Sequence, residues 1–271
     1  MNKSPYEDLY QFCIIHGRDL CGKIIVFHED RLKGTEIQIS KNIHICTVID
    51  YPLDGNPIQK VVSNNEVHFL VVKTYKKWIS KIEKLVEHIK TNYNELPDYI
   101  LYLDGYDTMI LNDILNPREM LDFYKCKILF STEPYYVGTG YVSPTASYLK
   151  GYHECRTNYI NLNMEKYGSP MDFGINAGVF LGEKKYLLNI LEEALILMND
   201  DILKEFPYGC TDDQYVLRYL HNKHFDIIGG DVFNKFFFWG GDFSFTNIPG
   251  EEKYHIGYSN KYMETYLNKE K

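Results

Sequence analysis

Short apolar runs alternate along this chain with longer segments of helical periodicity. Residues 43–49 are rich in β-branched side chains, as buried strands are, and residues 99–103 form a second apolar run. In residues 78–89 and 184–198, apolar side chains recur at helical spacing, with charged side chains between them. This alternation predicts an α/β protein with helices packed on a mostly parallel central sheet.

The remaining predicted elements complete that pattern. Asn116 and Pro117, followed by Glu119, have the cap, first-turn proline and reciprocal acid of a helix start. Thr211 and Gln214 have capping-box spacing and predict another helix start. Further strands are predicted at residues 21–28, 67–72, 128–130, 175–181 and 225–228.

The chain length favours one large domain. With 271 residues, a single core is expected, which we assign to residues 43–271, with residues 1–42 as an N-terminal appendage packed on it. Residues 135–172 form a Tyr-, Asn- and Gly-rich connection, and connections of that length usually have a functional role.

Charge and composition narrow the range of partners. The net charge is -8 and no basic stripe is present, which argues against binding to a nucleic-acid duplex. The six cysteines are scattered without a Cys-x-x-Cys pair, so free thiols in a reducing compartment are expected. The sequence has neither a signal-peptide pattern nor an apolar run of membrane-spanning length, and it is interpreted as cytoplasmic.

Two carboxylates follow directly on the strand predicted at residues 99–103. Asp104 and Asp107 are three residues apart, and Gly105 between them permits a sharp bend. The carboxyl end of a parallel strand is where such sheets bind ligands, and paired carboxylates suit Mn²⁺ or Mg²⁺. An isolated pair of this kind is also found at solvated strand ends and helix caps, so the motif alone is weak.

Three other segments carry candidate site residues. Asn176 lies among Gly and Ala residues that let the backbone approach a ligand, although a bent core strand has the same pattern. Asp212 and Asp213 either complement a helix dipole or provide a general base. His255 could complete a metal shell and Lys261 could meet phosphate charge, although a lone histidine is more often structural.

Together these segments resemble the glycosyltransferase domain of procollagen lysyl hydroxylases and the related collagen galactosyltransferases. The motifs occur in the family's order across residues 43–261: Leu103-Asp-Gly-Tyr-Asp107, Phe130-Ser-Thr-Glu133, Ile175-Asn-Ala-Gly178, Asp212-Asp-Gln214, and His255 to Lys261. The resemblance implies a GT-A fold, which is a Rossmann-like fold of nucleotide-diphospho-sugar transferases. It also implies a Mn²⁺-dependent transfer of galactose or glucose from a UDP-sugar to a glycan or protein acceptor.

The resemblance also assigns roles to individual residues. Asp104, Asp107 and His255 would bind the metal, Tyr106 would stack on the nucleotide, and Lys261 would contact the diphosphate. Thr47 and Val48 would lie beside the uridine, and Lys76 beside the phosphates. Apart from the resemblance, an inverting reaction would need a base for the acceptor hydroxyl, and Asp213 or Asp212 is the candidate. Asn176 and Gln214 are candidates for orienting the sugar hydroxyls.

The chain departs from the family near its C-terminus, and this leaves other functions open. Gly257 stands where the collagen enzymes have Asn, and no Pro precedes Lys261, which puts a collagen acceptor in doubt. A sugar nucleotidyltransferase would be expected to have a glycine-rich loop after the first strand, and a glycosidase would need no metal. A catalytically silent glycan-binding protein with the same fold is the alternative from a different functional class.

Overall fold

The computed structural model describes residues 38–50, 67–74, 76, 78–104, 109–110, 113–134, 161–168, 173–199, 213–232, 235–240 and 256–259. Nine strands lie in these ranges: β1 (Ile43–Ile49), β2 (His68–Val71), β3 (Tyr99–Leu103), β4 (Met109–Ile110), β5 (Ile128–Pro134), β6 (Phe173–Glu183), β7 (Ile228–Gly230), β8 (Phe237–Gly240) and β9 (Ile256–Ser259). The helices are α1 (Ile79–Thr91), α2 (Pro117–Phe123), α3 (161–167), α4 (Lys184–Asn199) and α5 (Asp213–Lys223).

Six of the strands form one mixed sheet in the order β2-β1-β3-β6-β5-β7. β1 pairs in parallel with β2 and β3, and β5 pairs in parallel with β7. Because β6 is antiparallel to both β3 and β5, it is the one strand of this sheet that runs against the other five. The predicted α/β class with a mostly parallel sheet is therefore confirmed, and the architecture is compatible with a Rossmann-like fold.

The main core lies between this sheet and three helices. Side chains of α1, α4 and α5 pack against one face of β1, β3, β5 and β6, with Leu85, Tyr102, Phe130, Phe180 and Leu191 among the buried residues. The helical face predicted for α1 is confirmed at Ile82, Leu85, Val86 and Ile89. Trp78 is a correction, because it is 44% exposed. It precedes the first turn of α1, and Ser80 occupies the buried position there instead.

One strand boundary was also predicted wrongly. Residues 225–227 form a turn after α5, in which the amides of Ile227 and Ile228 donate to the carbonyl of His224. The strand begins only at Ile228, where Ile128 of β5 pairs with it. Hydrophobicity alone does not separate the end of such a turn from the start of a strand, because Phe225 and Ile227 are apolar and partly buried although they lie in the turn.

β6 contains a bulge that matters for the site. Phe130 pairs with Phe180, but the next residue of β5, Ser131, pairs with Asn176. The segment from Ala177 to Val179 therefore has no partner on β5, and its backbone is bent at the edge of the sheet where β3 ends.

A second, three-stranded sheet has the order β4-β9-β8. β9 pairs antiparallel with β4 and in parallel with β8. β8 follows β7 closely in the chain, so this small sheet lies beyond the carboxyl end of the parallel strands.

Several predictions concern residues outside the described ranges. The strand at 21–28, most of the N-terminal appendage, most of the 135–172 connection and the capping residue Thr211 are among them. Of the six cysteines, Cys46 and Cys126 are described, and both are buried free thiols. Burial raises the pKa of each to about 12, which makes these two thiols poor nucleophiles. No helix in the described part of the chain is long and apolar enough to span a membrane.

Candidate functional site

Asp104 is placed by the last residues of β3. Its amide donates to the carbonyl of Gly178 at 2.8 Å, which extends the β3–β6 pairing by one residue. The hydroxyl of Tyr102, two residues earlier in the chain, donates to Asp104 Oδ1 at 2.7 Å. The Asp104 side chain is 26% exposed, so this carboxylate is held by the fold and still reaches solvent.

Lys81 of α1 connects Asp104 to a second carboxylate. Its Nζ lies 3.2 Å from Asp104 Oδ1 and 2.8 Å from Asp213 Oδ2. The same ammonium donates to the carbonyl of Ala177 at 2.9 Å and lies 4.8 Å from the centre of the Tyr102 ring. Burial opposes the charge of Lys81, but the two carboxylates outweigh it and raise the pKa of the amine.

The sequence analysis did not identify Lys81. A signal existed, because Lys81 lies one residue before the buried Ile82 and four before the buried Leu85. A lysine beside the apolar face of an amphipathic helix can bury its stem and direct its ammonium towards the sheet. The pattern does not reveal which carboxylates it meets there.

Two backbone amides of the β6 bulge donate hydrogen bonds to side chains that were predicted to belong to the site. Asn176 Oδ1 accepts a hydrogen bond from the Gly178 amide at 2.7 Å, and Gln214 Oε1 accepts one from the Ala177 amide at 3.2 Å. A Cβ at Gly178 would lie 2.8 Å from Asn176 Oδ1 and 3.0 Å from Asp104 Oδ2. Gly178 is thus required for the close approach of Asp104 to the bulge.

Asp213 reaches this cluster from the first turn of α5. Its Oδ1 accepts from the Gln214 amide at 2.9 Å, while its Oδ2 faces Lys81. One turn further along α5, Arg218 is only 2% exposed and donates from Nε to the carbonyl of Ile175 at 2.9 Å. This contact ties α5 to β6 and fixes the distance between Asp213 and the bulge.

Thr47 and Val48, predicted beside the uridine, lie on β1, and Lys76, predicted beside the phosphates, lies just before α1. Thr47 and Val48 are both buried in β1, and in the described part of the chain the Thr47 hydroxyl has no hydrogen-bond partner. Lys76 is exposed, and its amide donates to Ser80 Oγ at 2.7 Å.

The structure therefore brings together Asp104, Asn176, Asp213 and Gln214, with Lys81 at their centre. The other predicted site residues, Tyr106, Asp107, Asp212, His255 and Lys261, lie outside the described residues. Within the described ranges, no group of three or more His, Cys, Asp or Glu side chains is arranged to hold a metal ion. Asp104 is the one predicted metal ligand that is described.

This cluster combines two anionic groups, one cation and a bent backbone at the carboxyl edge of a mostly parallel sheet, the edge at which such sheets bind ligands. A carboxylate that is partly exposed and rigidly held can bind a hard cation or orient a hydroxyl. The Lys81 ammonium favours the ionised form of both carboxylates, as either role requires.

Comparison with known protein families finds no matching family model, and comparison with curated proteins finds no matching sequence.

Proposed function

We propose that this protein is a metal-dependent glycosyltransferase of GT-A fold that transfers a hexose, galactose or glucose, from a UDP-sugar to an acceptor hydroxyl. One observation carries the proposal. Segments that are far apart in the sequence and were each assigned to a sugar-nucleotide site meet in one cluster around Lys81. A structural strand end or a helix cap would not require Asp104 and Asp213 to share one lysine.

The donor site would be built on Asp104. Its carboxylate fits a hard divalent cation such as Mn²⁺ or Mg²⁺, since it is a hard oxygen ligand and is 26% exposed. When bound, the cation supplies Lewis-acid stabilisation of the departing diphosphate, worth several kcal/mol. Asp107 and His255 are the proposed partner ligands.

The small sheet supports that ligand set. β4 begins two residues after Asp107, β9 begins one residue after His255, and the two strands pair with each other. If Asp107 and His255 bind the same metal ion, their two chain segments must lie side by side, and the pairing of β4 with β9 fits that requirement. Tyr106 and Lys261, in the same two segments, would contact the nucleotide and the diphosphate.

The acceptor side would use Asp213. In an inverting reaction the acceptor hydroxyl must lose a proton to a base, and the Asp213 carboxylate is positioned by Lys81, whose Nζ lies 2.8 Å from its Oδ2. Asp212 is adjacent and is the second candidate for this role. Asn176 and Gln214, whose amide oxygens are oriented by the β6 bulge, are the groups proposed to position sugar hydroxyls.

The proposal is tested by donor hydrolysis. The protein is incubated with a panel of nucleotide sugars in Mn²⁺ or in EDTA, and the free nucleoside diphosphate is measured. We expect UDP release from one sugar, dependent on metal, and a loss of about 1,000-fold or more in Asp104→Asn. Asp122→Asn is the matched control, because Asp122 is 67% exposed on α2 and forms its ion pair with Arg118 of the same helix.

Two results would count against the proposal. If Asp104→Asn and Asp122→Asn release UDP equally fast, Asp104 is not in the donor site. If no donor is hydrolysed and UDP with Mn²⁺ does not raise the melting temperature, the protein is better described as a silent glycan-binding relative.

A further inference from the structure

Three histidines form a cluster at the opposite end of α1 from Lys81. His44 of β1 lies with its Nε2 2.8 Å from Nε2 of His88 of α1. The ring of His68, at the start of β2, lies 4.2 Å from the His44 ring and 6.2 Å from the His88 ring. His44 is buried and His68 is exposed, so the cluster extends from the core to solvent.

The protonation of the central pair can be read from the neighbouring Asn92. Its side-chain nitrogen donates to the carbonyl of His88 at 2.9 Å, so the amide nitrogen, and not its oxygen, faces His88. The same nitrogen lies 3.3 Å from His88 Nδ1, which must therefore be an acceptor. His88 then carries its proton on Nε2 and donates to His44 Nε2.

This chain of hydrogen bonds has no place for an additional proton. A proton on His88 Nδ1 would face the Asn92 amide group, donor against donor. A proton on His44 Nε2 would face the His88 N–H unless His88 changed tautomer, and that change would again place a proton against Asn92. Either protonation breaks one contact between α1 and its surroundings.

The electrostatic surroundings act in the same direction. Burial, then His68 and His88, lower the pKa of His44 to about 3. Burial, then His68 and Lys84, lower the pKa of His88, and Glu87 opposes this only in part. On the α4 side of α1 the charged pair is Lys90 with Glu192.

We propose that His44, His68 and His88 form an acid-sensitive clamp that holds α1, and with it Lys81, on the sheet. Lys81 and His88 are seven residues apart, on the same face of the helix, about 10 Å along its axis. Acidification releases the C-terminal half of α1 and so loosens the Lys81 contacts to both carboxylates. The clamp does not depend on the proposed transferase activity, since it concerns the protein alone.

The pH range follows from the direction of the shifts. A histidine whose pKa is lowered in the folded state binds fewer protons there than in an opened state. The stability it provides is therefore lost as the pH falls below about 6.5, the ordinary histidine value. Between pH 7.0 and 5.5, His44 should favour the opened state by about tenfold, because its pKa of about 3 lies below this range. The lowered pKa of His88 adds to the effect in the same direction.

The clamp is tested by hydrogen exchange of α1, with α4 as the reference because its 16 residues contain no histidine. After correction for intrinsic rates, we expect protection of α1 to fall about tenfold or more relative to α4 between pH 7.0 and 5.5. The double variant His44→Leu/His88→Leu should remove this difference. His224→Gln is the matched control. Because His224 pairs with Glu193 of α4, away from the clamp, this variant is judged by the protection of α1 itself, which should fall as in the wild type.

His68→Gln keeps the test decisive if the double variant does not fold. His68 is exposed, and its charge opposes protonation of the other two rings, so His68→Gln should reduce the fall in α1 protection. Unchanged protection of α1 at pH 5.5, or an equal fall in the wild type and His68→Gln, would overturn the clamp.

Discussion

Two acidic centres lie at the same edge of the sheet, and the fold uses them differently. Asp104 follows β3, and Asp231 follows β7. Asp104 is partly exposed and shares Lys81 with Asp213, whereas Asp231 is fully buried. The comparison distinguishes a carboxylate that can bind a ligand from one whose contacts are to other groups of the protein.

The partners of Asp231 show that its role is structural. Its oxygens accept hydrogen bonds from the amides of Lys235, Phe236 and Phe237 at 2.8, 2.7 and 2.6 Å. The hydroxyl of Tyr124 donates to it as well. Burial raises the pKa of Asp231, and these hydrogen bonds oppose that rise. Because the three amides start the segment leading into β8, Asp231 positions the small sheet relative to the large one.

The largest effect is expected from Asp231→Asn. An asparagine retains one acceptor oxygen but presents an NH₂ group to donors, so buried hydrogen bonds are lost. We expect the free energy of unfolding to fall by about 3 to 5 kcal/mol in chemical denaturation. UDP release per folded molecule should change much less. A loss of release that exceeds the loss of folded protein would show that Asp231 also serves the site.

Lys81→Met should have an intermediate effect, and it should lower both the stability of the protein and its rate of UDP release. Without the ammonium, Asp104 and Asp213 lose their shared cation, and unfolding should become easier by about 2 kcal/mol. UDP release should fall by about 100-fold. Lys84→Met is the control, because Lys84 pairs with the 63% exposed Glu87 one turn away and should change stability by less than about 0.5 kcal/mol. Equal effects of the two substitutions would remove Lys81 from the site.

The smallest effect is expected from a glycine of β6 that lies against Asp104. Gly178→Ala would push its Cβ into Asn176 Oδ1 and Asp104 Oδ2, so we expect about a tenfold loss of UDP release and a loss of stability near 1 kcal/mol. Gly182→Ala, on the same strand, would meet Ile128 and Leu187 at 3.2 and 3.3 Å. It should lower the melting temperature while release per folded molecule is retained. If release survives in Gly178→Ala, the bulge does not shape the donor site.

The sequence was most informative where a local pattern controls a local structure. The buried face of α1 from Ile82 onwards, the Asn116 cap of α2, and the position of Asp104 directly after an apolar strand were all predicted. Each depends on side-chain periodicity or on capping within a few residues. The errors at Trp78 and at the start of β7 are also local, since each concerns the exact residue at which a helix or a strand begins.

The site itself was only partly predictable. Asp104, Asn176, Asp213 and Gln214 were assigned to one site, but Lys81, which contacts both carboxylates, was not predicted. Its contact with Ala177 spans 96 residues of the chain, and no local pattern encodes such a pair.

Pattern and spacing by themselves thus determined the α/β class, most of the elements and the strand end that carries Asp104. The tertiary structure alone decided that β6 runs against its neighbours, that its bulge faces Asp104, and that Lys81 lies between two carboxylates. It also decided the contact of His44 with His88 across 44 residues. The physical reason is that periodicity records which face of an element is buried, whereas the partner of a buried polar group is set only when distant elements pack together.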